Sequence, residues 1–179
     1  RRRTSQRRPT KRTTESPRGA VTPGRETMIG RIFRKIKTTV FKLFNPRFSK
    51  AVLFEVPRVY YKKRLTLGRK IHINDNVFIN AVGGVTLGDY CVLSHGVTIV
   101  STGLDTATWT SRTEDHDSHI DKPIVIGDNV WLGANTVVCA GVTIAKNSIV
   151  GAGAVVTKDL TEEGCLYGGV PARKIRELD

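Results

Sequence analysis

The fold class this sequence predicts is an all-β solenoid of stacked short strands. Three observations predict it: aliphatic residues recur every six positions, a small residue follows most of them, and the segment is rich in Val, Ile, Thr and Gly. The longest run is Ile126, Leu132, Val138, Ile144, Val150 and Val156. The same register holds earlier as Leu67, Ile73 and Ile79, and after a slip of two residues as Leu87, Leu93 and Ile99. A period of six is neither the 3.6 of a helix nor the 2 of a long strand, so it reads as strands of a few residues separated by turns. The aliphatic points into a shared core, and the small residue after it (Gly68, Gly88, Gly127, Gly133) permits the turn. β-branched residues and glycine also disfavour a helix. Three strands close one coil, so twelve units make about four coils around a continuous aliphatic column. The spacing does not fix the hand of the coil, and the crossover rule for parallel strands favours the right hand.

The 179 residues suit one domain with tails. The net charge of +13 is unevenly spread. Residues 1–27 carry nine Lys/Arg against two Glu, residues 28–64 eleven against one, and residues 65–179 nine against thirteen Asp/Glu. The repeat region is slightly acidic, which argues against nucleic acid as its partner. Three widely spaced cysteines (Cys91, Cys139, Cys165) without a CxxC pattern argue against a disulfide framework and for a reducing, cytoplasmic setting. No run of 18 apolar residues is present that would cross a membrane as a helix.

Residues 1–27 are rich in Arg, Thr, Ser and Pro and poor in large apolar residues, so they are expected to be disordered. Met28 is the only methionine, and the expectation is that it is the natural start, with residues 1–27 an upstream extension. Ile29, Ile32, Phe33, Ile36, Val40, Leu43 and Phe44 then recur at helical spacing on one stripe, with Arg31, Arg34, Lys35 and Lys42 on the other side, until Asn45-Pro46 ends the run. Such a basic amphipathic helix at 28–44 suits either peripheral contact with the inner face of a membrane or packing against the repeats or a neighbouring subunit. Residues 46–64 lead into the repeats at 65–160, and 161–179 form a C-terminal tail.

The run from Pro123 to Asp159, with Val130-Trp131-Leu132-Gly133-Ala134-Asn135, Val156-Thr157-Lys158-Asp159 and the tail Gly169-Val170-Pro171-Ala172-Arg173, resembles the hexapeptide-repeat acyltransferases. The likeness is greatest to the galactoside and maltose O-acetyltransferases and their relatives in polysaccharide decoration, and it covers about residues 65–179. The resemblance implies a left-handed parallel β-helix and a homotrimer with active sites in the clefts between subunits. It also implies acetyl-CoA as acyl donor, held at Trp131, Gly133, Ala134, Ala152, Thr157, Lys158, Arg173 and Arg176. These residue types fit that ligand: small side chains let it approach backbone amides, and Lys and Arg meet its phosphates.

The repeat breaks between Ile99 and Pro123, and loops as long as 100–122 are commonly functional. Histidine titrates near neutrality, so it serves as a general base that takes the proton of an attacking hydroxyl. Relatives carry that histidine early in this loop after a Thr-Gly pair, whereas here Thr102-Gly103 is followed by Leu104. The loop histidines come late instead: His119, next to the ordered coil, is the first candidate for the base and His116 the second. Asn80 matches a family asparagine beside the acceptor hydroxyl. His95 and His72 read as structural or surface residues. The expected function is acetyl transfer to a hydroxyl of a saccharide or glycan, which could be lipid-linked. N-acetylation of an amino sugar, a γ-type carbonic anhydrase with three histidines on zinc, and an inactive trimeric scaffold are the alternatives.

Overall fold

Each six-residue unit contributes two or three extended residues and then a tight corner, and three corners return the chain to its starting edge. The computed structural model describes residues 27–107, 110 and 118–179. Its strands lie in three parallel sheets along the faces of a prism. On the first face, Leu53, Ile73, Leu93, Leu132 and Val150 stand in one register. On the second, Val59, Ile79, Ile99, Val138 and Val156 do the same. On the third, Leu67, Leu87, Ile126 and Ile144 follow. The sequence period is therefore a set of columns, and nearly all of these side chains are buried. Apolar burial along the columns is the main stabilising term.

The repeat starts two units earlier than the spacing from Leu67 predicts. Leu53 and Val59 belong to the same columns, so residues 52–67 form the first of five coils, followed by 72–87, 92–126, 131–144 and 149–160. The interval from Val59 to Leu67 is the same eight residues as that from Ile79 to Leu87. Two residues are thus inserted at the same corner in both coils.

The small residue after each aliphatic has a different physical cause from the one expected. The left-handed residue of a corner is the third after the aliphatic: Asn76 (φ 55°), Asn129 (φ 54°), Asn135 (φ 57°) and Asn147 (φ 59°). Asparagine tolerates that region better than most residues. The residue directly after the aliphatic is small because the next coil presses on it. A Cβ on Gly88 would lie 2.7 Å from the Asp128 nitrogen, and one on Gly127 would lie 2.7 Å from the Lys146 nitrogen.

At the C-terminal end a short antiparallel strand covers the last parallel one. Cys165–Gly168 extends the first face beyond Ile149–Val150, and Arg173–Glu177 folds back antiparallel on it. Gly169 to Ala172 cross to the second face, where the Val155 N–H donates to Gly169 O (3.1 Å) and the Ala172 N–H donates to Val155 O (2.8 Å). At the other end, buried Phe48 and Ala51 close the column. Helix α1 (Met28–Phe44) rests there, capped by the Thr27 hydroxyl, which accepts from the Gly30 N–H (3.2 Å). Its packing face is Thr38 with Phe41, whose ring meets Phe48 edge-on at 5.1 Å. The apolar stripe faces away from the prism, with Met28 79% and Leu43 78% exposed. Packing of that stripe on the chain's own repeats, one of the two sequence readings, is therefore not what holds the helix.

The three cysteines are free thiols. Cys91 is buried in a core slot and donates to Gly127 O (3.1 Å), and burial pushes its thiol up to about 11. An unfolded chain ionises this thiol near its ordinary value of about 9 and the folded chain only near 11, so stability falls as pH rises through that window. Denaturant titrations at increasing pH are expected to show a loss of order 2–3 kcal/mol across the window that Cys91→Ala removes. The coil contact makes a second prediction, read from equilibrium unfolding. Gly88→Ala, against backbone at 2.7 Å, is expected to cost about 2–3 kcal/mol. Gly164→Ala, with open space around it and a φ of 63°, should cost about 1 kcal/mol from backbone strain alone.

Candidate functional site

The corner between the second and third faces carries the insertions of the first three coils. In the first two coils it carries the two extra residues noted above. In the third coil it carries the long loop, which leaves after Val100 and returns at Ile124. The loop begins as a two-stranded antiparallel arm, with Thr102 paired to Asp121, Gly103 to Ile120 and Leu104 to His119. The Asp105 N–H donates to Ser118 O (2.7 Å) and continues the pairing. Ser101 is the foot of this arm and is fully buried. Its hydroxyl donates to Asn80 O (2.8 Å) and accepts from the Gly83 N–H (2.8 Å), while its own carbonyl accepts from the Lys122 N–H (3.0 Å). A Cβ on Gly83 would stand 2.7 Å from the Lys122 nitrogen, so only glycine admits the arm.

His119 lies on the arm and is exposed. His116 lies outside the described residues. Asn80 is half-buried at the arm's foot, and its side-chain oxygen accepts from the Val82 N–H (3.2 Å). Three residues of extended chain, about 10 Å, separate Ser101 from Leu104, the pairing partner of His119. The structure thus places Asn80 and His119 at the two ends of one short arm without bringing their side chains together.

The other candidates lie elsewhere. Gly133, Ala134 and Ala152 share the corner between the first and second faces. A Cβ on Gly133 would lie 2.6 Å from the Ala152 nitrogen, and the Gly153 N–H donates to Ala134 O (2.8 Å). Trp131 is on the first face, 51% exposed, with its indole N–H on the Ser94 hydroxyl of the preceding coil (2.9 Å). Trp131, Ile149, Leu166 and Arg176 occupy successive places in one outward row. The row spans three strand spacings, about 14 Å. Arg173 and Arg176 are exposed on the last strand. Between them, Lys174 is engaged by Glu162 (2.7 Å) and Glu177 (3.1 Å), which hold its ammonium well above the usual lysine range. Thr157 and Lys158 sit at the second-to-third corner, the arm's own corner, two coils further along.

Two family models match: bacterial transferase hexapeptide (six repeats) over residues 123–158, and hexapeptide repeat of succinyl-transferase over residues 70–101. The interval between the matches is the arm and its loop. The chain belongs to the hexapeptide-repeat transferases. It is 38% identical over 125 residues to a galactoside O-acetyltransferase of Escherichia coli, a match covering 69% of this chain and 60% of that protein. It spans about three-fifths of the length of the curated relatives it matches. Among solved structures, a hexapeptide-repeat acetyltransferase of Vibrio cholerae superposes with a TM-score of 0.68 at 29% identity, covering 80% of this chain and 81% of that one. A galactoside acetyltransferase in complex with coenzyme A gives 0.62 at 28% identity, covering 83% and 82%.

In this hexapeptide-repeat chain His72 is exposed on the first face, and His95 sits in a corner turn with its Nδ1 2.7 Å from Asp75. With His119 on the arm, these histidines occupy three separate places. No three metal-binding side chains converge among the described residues. The cavity of about 580 Å³ beside α1, lined by Phe33, Arg34, Thr38, Phe54 and Asp75 among others, contains none of the candidate site residues. Ser94, Ser101 and Gly83 were not singled out by sequence reasoning. The signal available for Ser94 was its place directly after Leu93, and for Gly83 its place in the two-residue slip. Ser101→Ala removes both hydroxyl bonds and strands the Gly83 N–H. It is expected to cost about 1–2 kcal/mol and to speed hydrogen exchange at Gly83 and Lys122 more than at core positions such as Val138.

Proposed function

We propose that this chain is an acetyl-CoA-dependent O-acetyltransferase acting on a sugar or glycan hydroxyl, and that it works as a homotrimer with each site shared by two copies. The observation that carries the reading is the split of the candidates over two corners of the prism. The arm with His119 and Asn80 leaves the second-to-third corner, while Gly133, Ala134, Ala152 and Trp131 lie at and beside the first-to-second corner. The second face stands between them, so one chain does not close a site around both groups. In a ring of copies related by rotation, the arm of one meets the small-residue corner of the next. The similarity to a galactoside O-acetyltransferase supports the chemistry. The three free thiols support a reducing compartment such as the cytoplasm.

The residues fit the donor. The Gly133, Ala134 and Ala152 corner carries little side-chain bulk over its backbone, so a pantetheine chain can lie against main-chain groups. Ile149 and Leu166 offer a half-buried apolar strip from Trp131 to the Arg176 guanidinium, and Arg173 adds a cation for phosphate groups, while Thr157 and Lys158 lie on the arm's own edge and would reach the donor of a neighbouring copy's site. His119 takes the proton of the acceptor hydroxyl as its oxygen attacks the thioester, and returns that proton to the departing sulfur. A main-chain N–H near Ala134 meets the charge that develops on the carbonyl oxygen. Asn80 orients the acceptor.

Thiol release from acetyl-CoA, measured with a panel of mono- and oligosaccharides, tests this reading. Saccharide-dependent release is expected, and His119→Ala should slow it about 10²–10⁴-fold with acetyl-CoA binding unchanged. Equal loss in His116→Ala alone would move the base to that residue. Co-assembled His119→Ala and Trp131→Ala chains should recover about a quarter of the sites, those joining an intact histidine to an intact tryptophan. Absence of recovery would place each site within one chain.

A further inference from the structure

Helix α1 turns its face outward in the opposite sense from an ordinary surface helix. At 3.6 residues per turn, Ile29, Ile32, Phe33, Ile36, Val40 and Leu43 share one arc of its circumference. The residues that touch the prism, Thr38 and Phe41 with half-buried Arg34 and Lys42, are centred about 180° away. The helix is held by the side that carries Thr38 and Phe41 and offers its apolar stripe to the surroundings over a length of about 25 Å. Every one of the six stripe residues is at least 48% exposed. An amphipathic helix normally buries such a stripe, and here nothing in the chain's own described fold covers it.

Charge identifies what covers it. The helix holds five cations, Arg31, Arg34, Lys35, Lys37 and Lys42, and no acidic residue. Lys35 and Lys37 lie next to the two borders of the apolar arc. The first coil, on which the helix rests, adds exposed Phe54, Tyr60 and Tyr61 beside Lys62, Lys63 and Arg64. Two such ends facing each other would bring their cations together, so the stripe is poorly suited to a like partner. An anionic bilayer surface meets both features at once, its acyl boundary receiving the stripe and its headgroups the cations. No helix among the described residues is long and apolar enough to cross the membrane. We infer that α1 is an in-plane anchor that seats the N-terminal end of the prism on an anionic lipid surface. This inference does not depend on the acyl-transfer reading.

Vesicle co-sedimentation of the full chain tests it, with vesicles of phosphatidylcholine alone and of phosphatidylcholine and phosphatidylglycerol in equal parts. Binding to the mixed vesicles and little to the neutral ones is expected, weakening as salt is raised. Ile32→Glu with Ile36→Glu leaves every cation in place and changes only the outward face, so the fold is retained. That double variant should bind at least tenfold more weakly. Arg31→Glu with Lys35→Glu should lose the preference for anionic vesicles. If the parent chain stays in solution with both vesicle types, the anchor is overturned. Unchanged binding by the isoleucine variant would also overturn it, assigning the attraction to cations outside the helix. A change by that variant in sedimentation size alone would assign the stripe to a second copy.

Discussion

Each strand of the prism's stacked coils lies one hydrogen bond above another of nearly the same sequence pattern, and that spacing of about 4.8 Å governs the rest. Each residue has a counterpart directly above and below it, so a side chain entering the prism meets its own kind, and a side chain at a corner meets backbone. Aliphatics therefore form columns. Gly88, Gly127 and Gly133 are small because the next coil arrives at 2.6–2.7 Å from where a Cβ would be. The same regularity leaves little room for altered length within a face, because one extra residue would turn inward side chains outward.

Length changes are consequently expelled to corners, and the insertions of the first three coils share one of them. At the first-to-second corner, the Asn135 N–H donates to His95 O and the Gly153 N–H to Ala134 O, tying neighbouring coils. At the third-to-first corner, the Asn129 N–H donates to Asp89 O, the Asn147 N–H to Asp128 O, and the Asp89 and Asp128 carboxylates accept from main-chain amides of adjoining coils. All three corners are stitched coil to coil, the second-to-third one by the Thr143 N–H on the Asp159 carboxylate and the Ala81 N–H on Tyr60 O. The second-to-third corner is wider in the first two coils, and the extra residues at 81–84 form the recess in which Ser101 and Lys122 anchor the arm. The slip in the sequence and the long loop after it are one feature seen in adjacent coils.

The repeat was legible because its cause is local: a column of aliphatics imposes the same spacing on every coil. The first coil was less legible. Leu53 and Val59 keep the register, but they lie among basic residues and the eight-residue interval to Leu67 interrupts the count. The role of the small residues was legible as a pattern and not as a cause, since the coil that excludes a Cβ lies about twenty or more residues away in the chain. The helix was visible from its periodicity, but its docking side was not, because amphipathicity indicates an apolar face without saying what meets it. Among candidate site residues, the place of His119 next to an ordered strand followed from its nearness to Pro123. That Trp131 leans on Ser94, and that Ser101 holds the arm, depends on contacts 37 and 21 residues apart in sequence.

A solenoid also constrains where a site can form. Its faces are flat ladders and its core is filled, so a concave pocket needs an element that stands off the prism and a second surface to close against. Besides α1 at the N-terminal end, this chain supplies one protruding element among its described residues, the arm at the second-to-third corner, and one corner with little side-chain bulk, at Gly133, Ala134 and Ala152. The stacking that makes both features rigid also holds them on different edges, because no corner can rotate without breaking the columns. In the homotrimer we propose, another copy would supply the closure, and an arm fixed at Ser101 would reach the neighbour's corner at a defined height along the prism. The symmetry of such a trimer would give each chain one arm to offer and one corner to receive.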